Sequence, residues 1–212
     1  MTEAAAAAQI TPRSVVQARV QPATSTEGGA MRQAWASVEC GHIDVPAVQA
    51  RLWAAWTDKG LSCLNWTAAD ASAADAFGTA HPPQGEIPEP YGSTLRAYLN
   101  GDGVDPTTLP VDPAGTPFQR RVWDALRRIP RGEVRSYAAI ANEIGSPRGM
   151  RAVGAANGKN PICIVVPCHR VVEAGMRLGG YTGGLHLKRF LLELEGVKIV
   201  GENVQPGQLE LV

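Results

Sequence analysis

The chain has 212 residues, 44% of them hydrophobic, and carries 20 basic and 20 acidic side chains. That suffices for one large domain or two small ones around a buried core. No run of eighteen apolar residues occurs, which excludes a membrane-spanning helix by hydropathy, and the cysteines at 40, 63, 163 and 168 form no CxxC pair, which argues against a zinc ribbon or a dense disulfide framework.

The opening stretch MTEAAAAAQI has no basic segment, so it does not read as a secretory signal. Reduced thiols and a cytosolic setting are the expectation. The balanced total charge hides an asymmetry. Residues 116–200 hold fourteen Lys and Arg against six Asp and Glu, whereas residues 1–115 hold six against twelve. A basic half of this kind can face a polyanion, or it can be a merely solvated surface.

Residues 1–30 are rich in Ala, Thr, Ser and Gly without periodicity and read as a disordered tail. Apolar-alternating runs follow at 35–43, 48–56 and 61–66, with Asp58-Lys59-Gly60 as a hairpin turn between the last two. They predict a small antiparallel sheet. Residues 68–90 read as loop, residues 93–99 as a short helix and residues 100–115 as a linker or irregular crossing.

The signals sharpen at Thr116-Pro117, an N-cap followed by proline at the first helical position. Phe118, Val122, Leu126 and Ile129 mark one face of the helix that follows, which Pro130-Arg131-Gly132 ends. Ser136 caps a second helix, 137–144, and Ser146-Pro147 a third, running to about Asn157. Two short helices joined by a tight turn containing glycine predict a helix-turn-helix. Residues 162–166 read as a buried strand leading into Pro167-Cys168-His169-Arg170. A glycine-rich hairpin and a last helix, 185–194, closed by Gly196, complete the pattern.

The third helix, PRGMRAVGAAN, is built mostly of small residues, with Arg151 as the long side chain near its centre. Major-groove readers present long polar side chains to base edges. A nearly bare helix fits a narrow minor groove with weak sequence readout, or else simply tight helix packing.

VVPCHRVV places a thiol and an imidazole side by side. On a regular strand they would point to opposite faces, but Pro167 favours a turn that presents both. A free thiol, with a pKa of roughly 8.5, is mostly protonated at neutral pH. A histidine oriented by a carboxylate can take its proton, and Glu195 is the candidate carboxylate. Structural burial is the alternative for Cys168 and the preferred reading for Cys163. No further ligands stand at metal-site spacing.

GTPFQRRVW, IPRGEVRSYAAIA, RAVGAA, NPICIVVPCHRVV, GYTGG and KRFLLELEG together resemble the 6-O-alkylguanine-DNA alkyltransferases, also called methylated-DNA–protein-cysteine methyltransferases. The likeness is dense over residues 114–197 and faint over 31–100, where DKGL and YGSTLRAYL carry it. It implies an α/β (α+β) fold. A ribonuclease-H-like N-terminal domain with a small antiparallel sheet would span 31–112. A winged-helix-like, helix-turn-helix C-terminal domain would span 113–200, with a C-terminal tail at 201–212.

The resemblance also implies a reaction. Cys168 would take the alkyl group from the 6-oxygen of a damaged guanine, irreversibly and once per molecule. His169 would act as its base through a bridging water, oriented by Glu195. Tyr137 would contact a guanine ring nitrogen and crowd the target phosphate. The carbonyls of Cys168 and Val171 would accept from the exocyclic amine, the amide of Thr182 would face the 6-oxygen, and Tyr181 would wall the pocket. Asn160 would brace the turn before the active-site strand. Arg151 would fill the gap left by the extruded nucleotide, with Ser136, Arg148, Ala152 and Gly154 also at the DNA. The implied partner is alkylated double-stranded DNA, bound by a monomer with cooperative assembly left open. No membrane, cofactor or metal is implied.

The chain departs from the family pattern at five residues in three places. Met150 stands where the family has a small residue, and Gly175-Met176 shifts the usual turn glycine by one position. Thr57 and Ser62 occupy the places of zinc ligands found in some animal members. A non-reacting sensor of alkylated DNA and a Cys–His acyl hydrolase are the competing readings. The first is opposed by the presence of Cys168. The second gives the helix-turn-helix and Arg151 no purpose.

Overall fold

Three strands form first in chain order, and the hairpin between the last two shows why. Strands β1 (Glu39–Val45), β2 (Ala50–Thr57) and β3 (Gly60–Ala68) make an antiparallel sheet with β2 central. Gly60 has φ of 144°, and a Cβ there would lie 2.7 Å from the Pro110 carbonyl, so only glycine permits both the turn and the close approach. In the computed structural model the described residues are 38–77 and 84–205. The tail expected over residues 1–30 lies outside them, as does the start of the run from residue 35.

The outer edge of β3 is covered at two places. The linker runs beside it, with Leu61 N donating to Pro110 O at 3.1 Å and Asp112 N to Leu61 O at 2.7 Å. Further along, Leu64 N donates to Pro161 O and Cys163 N to Leu64 O, both at 2.8 Å. The sheet thereby grips the segment that leads to Cys168, and an otherwise open strand edge is paired.

Two helices follow the sheet, α1 (Ala73–Phe77) and α2 (Tyr91–Leu99). The first lies within residues 68–90, which the sequence suggested were all loop. Its Ala73 and Ala76 are buried against Cys40, Trp53 and Cys63. Helix α3 (Pro117–Arg127) begins at a full capping box, with Thr116 and Gln119 each holding the other's backbone amide. Its Val122, Trp123 and Leu126 are buried. A two-residue parallel pair joins β4 (Arg135–Ser136) to β5 (Val171–Val172).

Ser136 caps α4 (Tyr137–Glu143), accepting from Ala139 N at 3.1 Å. Helix α5 (Met150–Gly158) starts later than Ser146-Pro147 suggested. Residues 146–149 are taken up by a turn, closed by Gly149 N to Ser146 O at 2.7 Å. The Trp123 indole donates to Ala156 O at 2.9 Å and ties α3 to α5. Helix α6 (Leu185–Leu194) and a hairpin of β6 (Ile199–Val200) and β7 (Asn203–Val204) end the described chain.

One apolar cluster joins both halves. Leu52, Leu64, Leu95 and Tyr98 from the first pack with Val122, Leu126, Ile140, Val153, Val165 and Leu191 from the second. Each fully buried aliphatic side chain here contributes about 1.5–3 kcal/mol relative to exposure.

Candidate active site

The segment 162–166 is fully buried, but it is no strand. It coils into a compact turn in which Val165 N donates to Cys163 O at 2.8 Å and Val166 N to Ile162 O at 3.0 Å. Ile164 adopts φ of 69°, a left-handed conformation that a β-branched residue takes only when its surroundings impose it. Asn160 supplies part of that constraint. Its Oδ1 accepts from Ile162 N at 3.0 Å and its Nδ2 donates to Val166 O at 2.7 Å, so one side chain clamps both ends of the turn.

The chain leaves this turn through Pro167 into a single 3-10 turn, Cys168–Arg170. All three side chains are buried. His169 Nε2 lies 3.0 Å from Glu195 Oε1, while its Nδ1 is buried with no protein partner. The Nε2–H tautomer satisfies this geometry and leaves the Nδ1 lone pair free to accept a proton. Burial lowers the pKa of His169, and Glu195 offsets this only in part, so the imidazole is held neutral as a base requires.

Burial would raise the Glu195 carboxyl, but His169 and Arg170 outweigh it and hold the group well below the usual carboxylate range. Arg170 approaches edge-on, with Nε 3.0 Å from Oε2 and Nη2 2.9 Å from Oε1. The same guanidinium reaches Asp105 Oδ1 at 3.1 Å and the Ile129 carbonyl at 2.6 Å. A further donor to Glu195 Oε1 is the Tyr98 hydroxyl at 2.7 Å.

Burial pushes the Cys168 thiol up. The Asn160 side chain and the Lys188 ammonium pull the other way. Lys188 is fully buried, and its Nζ donates to Val171 O at 2.6 Å and to Leu178 O. Burial lowers its pKa to about 8. The two carbonyls expected to face a substrate amine thus already accept bonds within the protein: Val171 O from Lys188, and Cys168 O from Val171 N. Each keeps a second lone pair.

Tyr137 is half-buried at the start of α4 and stacks beside Gly154 of α5, where an added Cβ would lie 3.9 Å from the ring. Tyr181 has its hydroxyl buried without a partner, as has the Trp66 indole nitrogen. Thr182 is exposed. Along α5, Met150, Arg151 and Ala152 are exposed, and so is Arg148 just before the helix. Met150 therefore turns outward rather than into the core. Ser136 has its oxygen engaged as the cap of α4. Gly175 and Met176 are both left-handed, with φ of 73° and 70°, and Glu173 N closes their turn on Arg177 O at 2.9 Å.

Sequence reasoning did not single out Tyr98, Asp105, Arg170 or Lys188 as site residues. Arg170 carried a signal, standing next to the Cys-His pair. Lys188 sits in an amphipathic helix where a lysine reads as solvent-facing, and Tyr98 and Asp105 reach the site only through tertiary packing.

Fold and site together define a mixed α/β protein with a small antiparallel sheet, in which a buried cysteine is followed in the chain by the histidine of a buried imidazole–carboxylate pair. Residues 117–197 match the family described as 6-O-methylguanine DNA methyltransferase, DNA binding domain. The chain is 52% identical over 102 residues to the methylated-DNA–protein-cysteine methyltransferase of Methanosarcina acetivorans, a match covering 48% of this chain and 65% of that protein. It is 55% identical over 101 residues to the protein of the same name from Mycobacterium tuberculosis, covering 48% and 61%. The matches thus span less than two thirds of these curated relatives. The crystal structure of Mycobacterium tuberculosis O6-methylguanine methyltransferase superposes with a TM-score of 0.65 at 42% identity, over 74% of this chain and 92% of that one. A structure of the Mycobacterium tuberculosis protein in complex with DNA gives 0.64 over the same shares. The chain belongs to the methylated-DNA–protein-cysteine methyltransferase family.

Proposed function

We propose that this chain repairs DNA by direct reversal, moving a methyl or other alkyl group from the 6-oxygen of guanine in duplex DNA to Cys168, once per molecule. The observation that carries this is the buried His169–Glu195 pair at 3.0 Å, next in the chain to the buried Cys168, with Nδ1 left as the proton acceptor. Cys168 Sγ gives its proton to His169 Nδ1, directly or across a water. The thiolate then attacks the alkyl carbon in line with the carbon–oxygen bond. The sulfur–carbon bond forms, the oxygen–carbon bond breaks, and its electron pair passes to the guanine, which takes up one proton. The thioether does not hydrolyse, so no turnover follows.

The target oxygen is out of reach inside a duplex, and the nucleotide must be flipped out. The exposed face of α5 suits a minor-groove approach, with Arg151 entering the space the base vacates. Arg148, Ala152, Gly154 and Ser136 would flank the backbone, and the net positive charge of residues 116–200 would attract it. Tyr137, Val171, Tyr181, Thr182 and Asn160 would form the guanine pocket. The protein would act on alkylated double-stranded DNA as a monomer.

The sheet of residues 39–68 with α2 supports a ribonuclease-H-like N-terminal region. The α3–α5 helices with the β4–β5 pair support a winged-helix-like C-terminal region, divided near residue 112. Four free cysteines support a reducing, cytosolic compartment. None of the helices among the described residues is long and apolar enough to cross a membrane.

The test is a duplex carrying one 6-O-methylguanine. Cys168→Ala should bind it as the wild type does and remove no methyl group. Methyl removal by Cys168→Ala would refute the assignment.

A further inference from the structure

The carboxylate of Glu195 is also held from the N-terminal region. Tyr98, on α2 of the N-terminal region, is 1% exposed, and its hydroxyl donates to Glu195 Oε1 at 2.7 Å. The same hydroxyl lies 3.5 Å from His169 Nε2, the atom that shares Oε1. Asp105, on the linker, reaches Arg170, which makes its own pair of bonds to Glu195. Two groups from outside the catalytic domain thus complete the surroundings of the carboxylate.

We infer that Tyr98 is a positioning residue for the transfer reaction, setting through its bond to Glu195 how strongly that carboxylate draws on the proton of His169 Nε2. This rests on the reading of His169 as the base of Cys168. A carboxylate oxygen that accepts from a phenol shares its charge with that bond and attracts a neighbouring imidazolium less. Removing the phenol leaves the charge on Oε1 to the remaining donors. The imidazolium form of His169 then gains, and the neutral base is present over a narrower range of pH.

The groups facing this centre all matter to the direction. His169 sees Glu195, Arg170 and Lys188. Glu195 sees His169, Arg170, Tyr98 and the Gly132 amide at 3.4 Å. Tyr98 sees Glu195, Arg170 and Arg131. Among these, only Glu195 carries negative charge toward His169. Loss of a donor to it therefore moves the His169 midpoint up. Tyr98 itself stays protonated, its hydroxyl held well above its ordinary pKa by burial and by the Glu195 charge and hydrogen bond.

Tyr98→Phe keeps the ring and removes the hydroxyl. In the free full-length protein, the His169 imidazole titration followed by NMR should move to higher pH in the variant. In single-turnover transfer from a methylated duplex, the rate on the acidic limb should fall roughly tenfold, the scale of a lost bond to a charged group, and less at neutral pH. The acidic limb of the pH–rate profile should shift with the imidazole. A uniform fall with an unmoved profile, or an unmoved imidazole, overturns the inference. Should Tyr98→Phe not fold, 3-fluorotyrosine at position 98 strengthens the donor and should move both measurements to lower pH; no movement overturns the inference equally. If the wild type transfers no methyl group, the proposed function fails, whereas the NMR titration still judges the role of Tyr98.

Discussion

Lys188 Nζ, fully buried, donates to the carbonyl oxygen of Val171 at 2.6 Å, and so fixes a cation inside the same apolar shell as Cys168. A buried ammonium is costly unless its charge is used. Its two carbonyl partners take up two of its three hydrogens, and its charge favours the thiolate form of Cys168. Lys188→Met should raise the pKa of Cys168. Alkylation of Cys168 by iodoacetamide at neutral pH should then slow on the order of tenfold, as expected for loss of a neighbouring opposite charge. An unchanged pH–rate curve for alkylation would remove Lys188 from the site's electrostatics.

Arg151 is exposed on α5 and holds no bond that the fold requires. Arg151→Ala should therefore unfold at the wild-type temperature. Repair of duplex DNA should slow by tenfold or more, since flipping involves about a few kcal/mol and each 1.4 kcal/mol is tenfold in rate. Reaction with free 6-O-benzylguanine should be unaffected. Duplex repair at the wild-type rate would dismiss the finger role.

Asn160 clamps the turn that carries Ile164 in its left-handed conformation. Asn160→Ala leaves the Ile162 amide unpaired in a buried place, while the Val166 carbonyl keeps its bond from Cys168 N at 2.8 Å. Urea denaturation should give a loss of about 1–3 kcal/mol, the cost of one orphaned buried amide. The thiol should also lose the bond that lowers its pKa. A stability loss below about 0.5 kcal/mol would mean that the turn holds without the clamp.

The acid limb of stability follows from Glu195 and His169. The folded pKa of Glu195 is depressed, so its contribution is complete above the unfolded carboxyl value of roughly 4.3 and fades as pH falls below it. The folded pKa of His169 is also depressed. The unfolded chain takes its proton first as pH falls below roughly 6.5, and stability begins to drop there. Thermal unfolding across pH 4 to 8 should show both steps. Glu195→Gln should lack the lower step and lose about 3–5 kcal/mol for leaving Arg170 without its buried partner.

How much of this could be read from the chain depended on how local each signal was. Thr116, Pro117 and Gln119 specify a helix start within four residues, and the structure has a full capping box there. Ser136 behaves likewise. The Asp58–Gly60 turn needed only glycine and its neighbours. The run 162–166 was misread because five consecutive apolar residues are equally consistent with a strand and a buried turn. Only the clamp by Asn160 and the contact with Leu64 decide between them. The pairing of His169 with Glu195 was proposed from motif and chemistry, and the structure places the two 3.0 Å apart. Tyr98 stands 97 residues from its partner Glu195 and Lys188 is buried by two carbonyls, so neither leaves a pattern in the sequence.

The most direct measurement is the intact mass of the protein after mixing with an equimolar duplex that contains a single 6-O-methylguanine. Direct transfer predicts a permanent gain of one methyl group, mapped to Cys168 and absent from Cys40, Cys63 and Cys163. Tight binding to the duplex with no gain in mass, or a methyl group found on another cysteine, would contradict it.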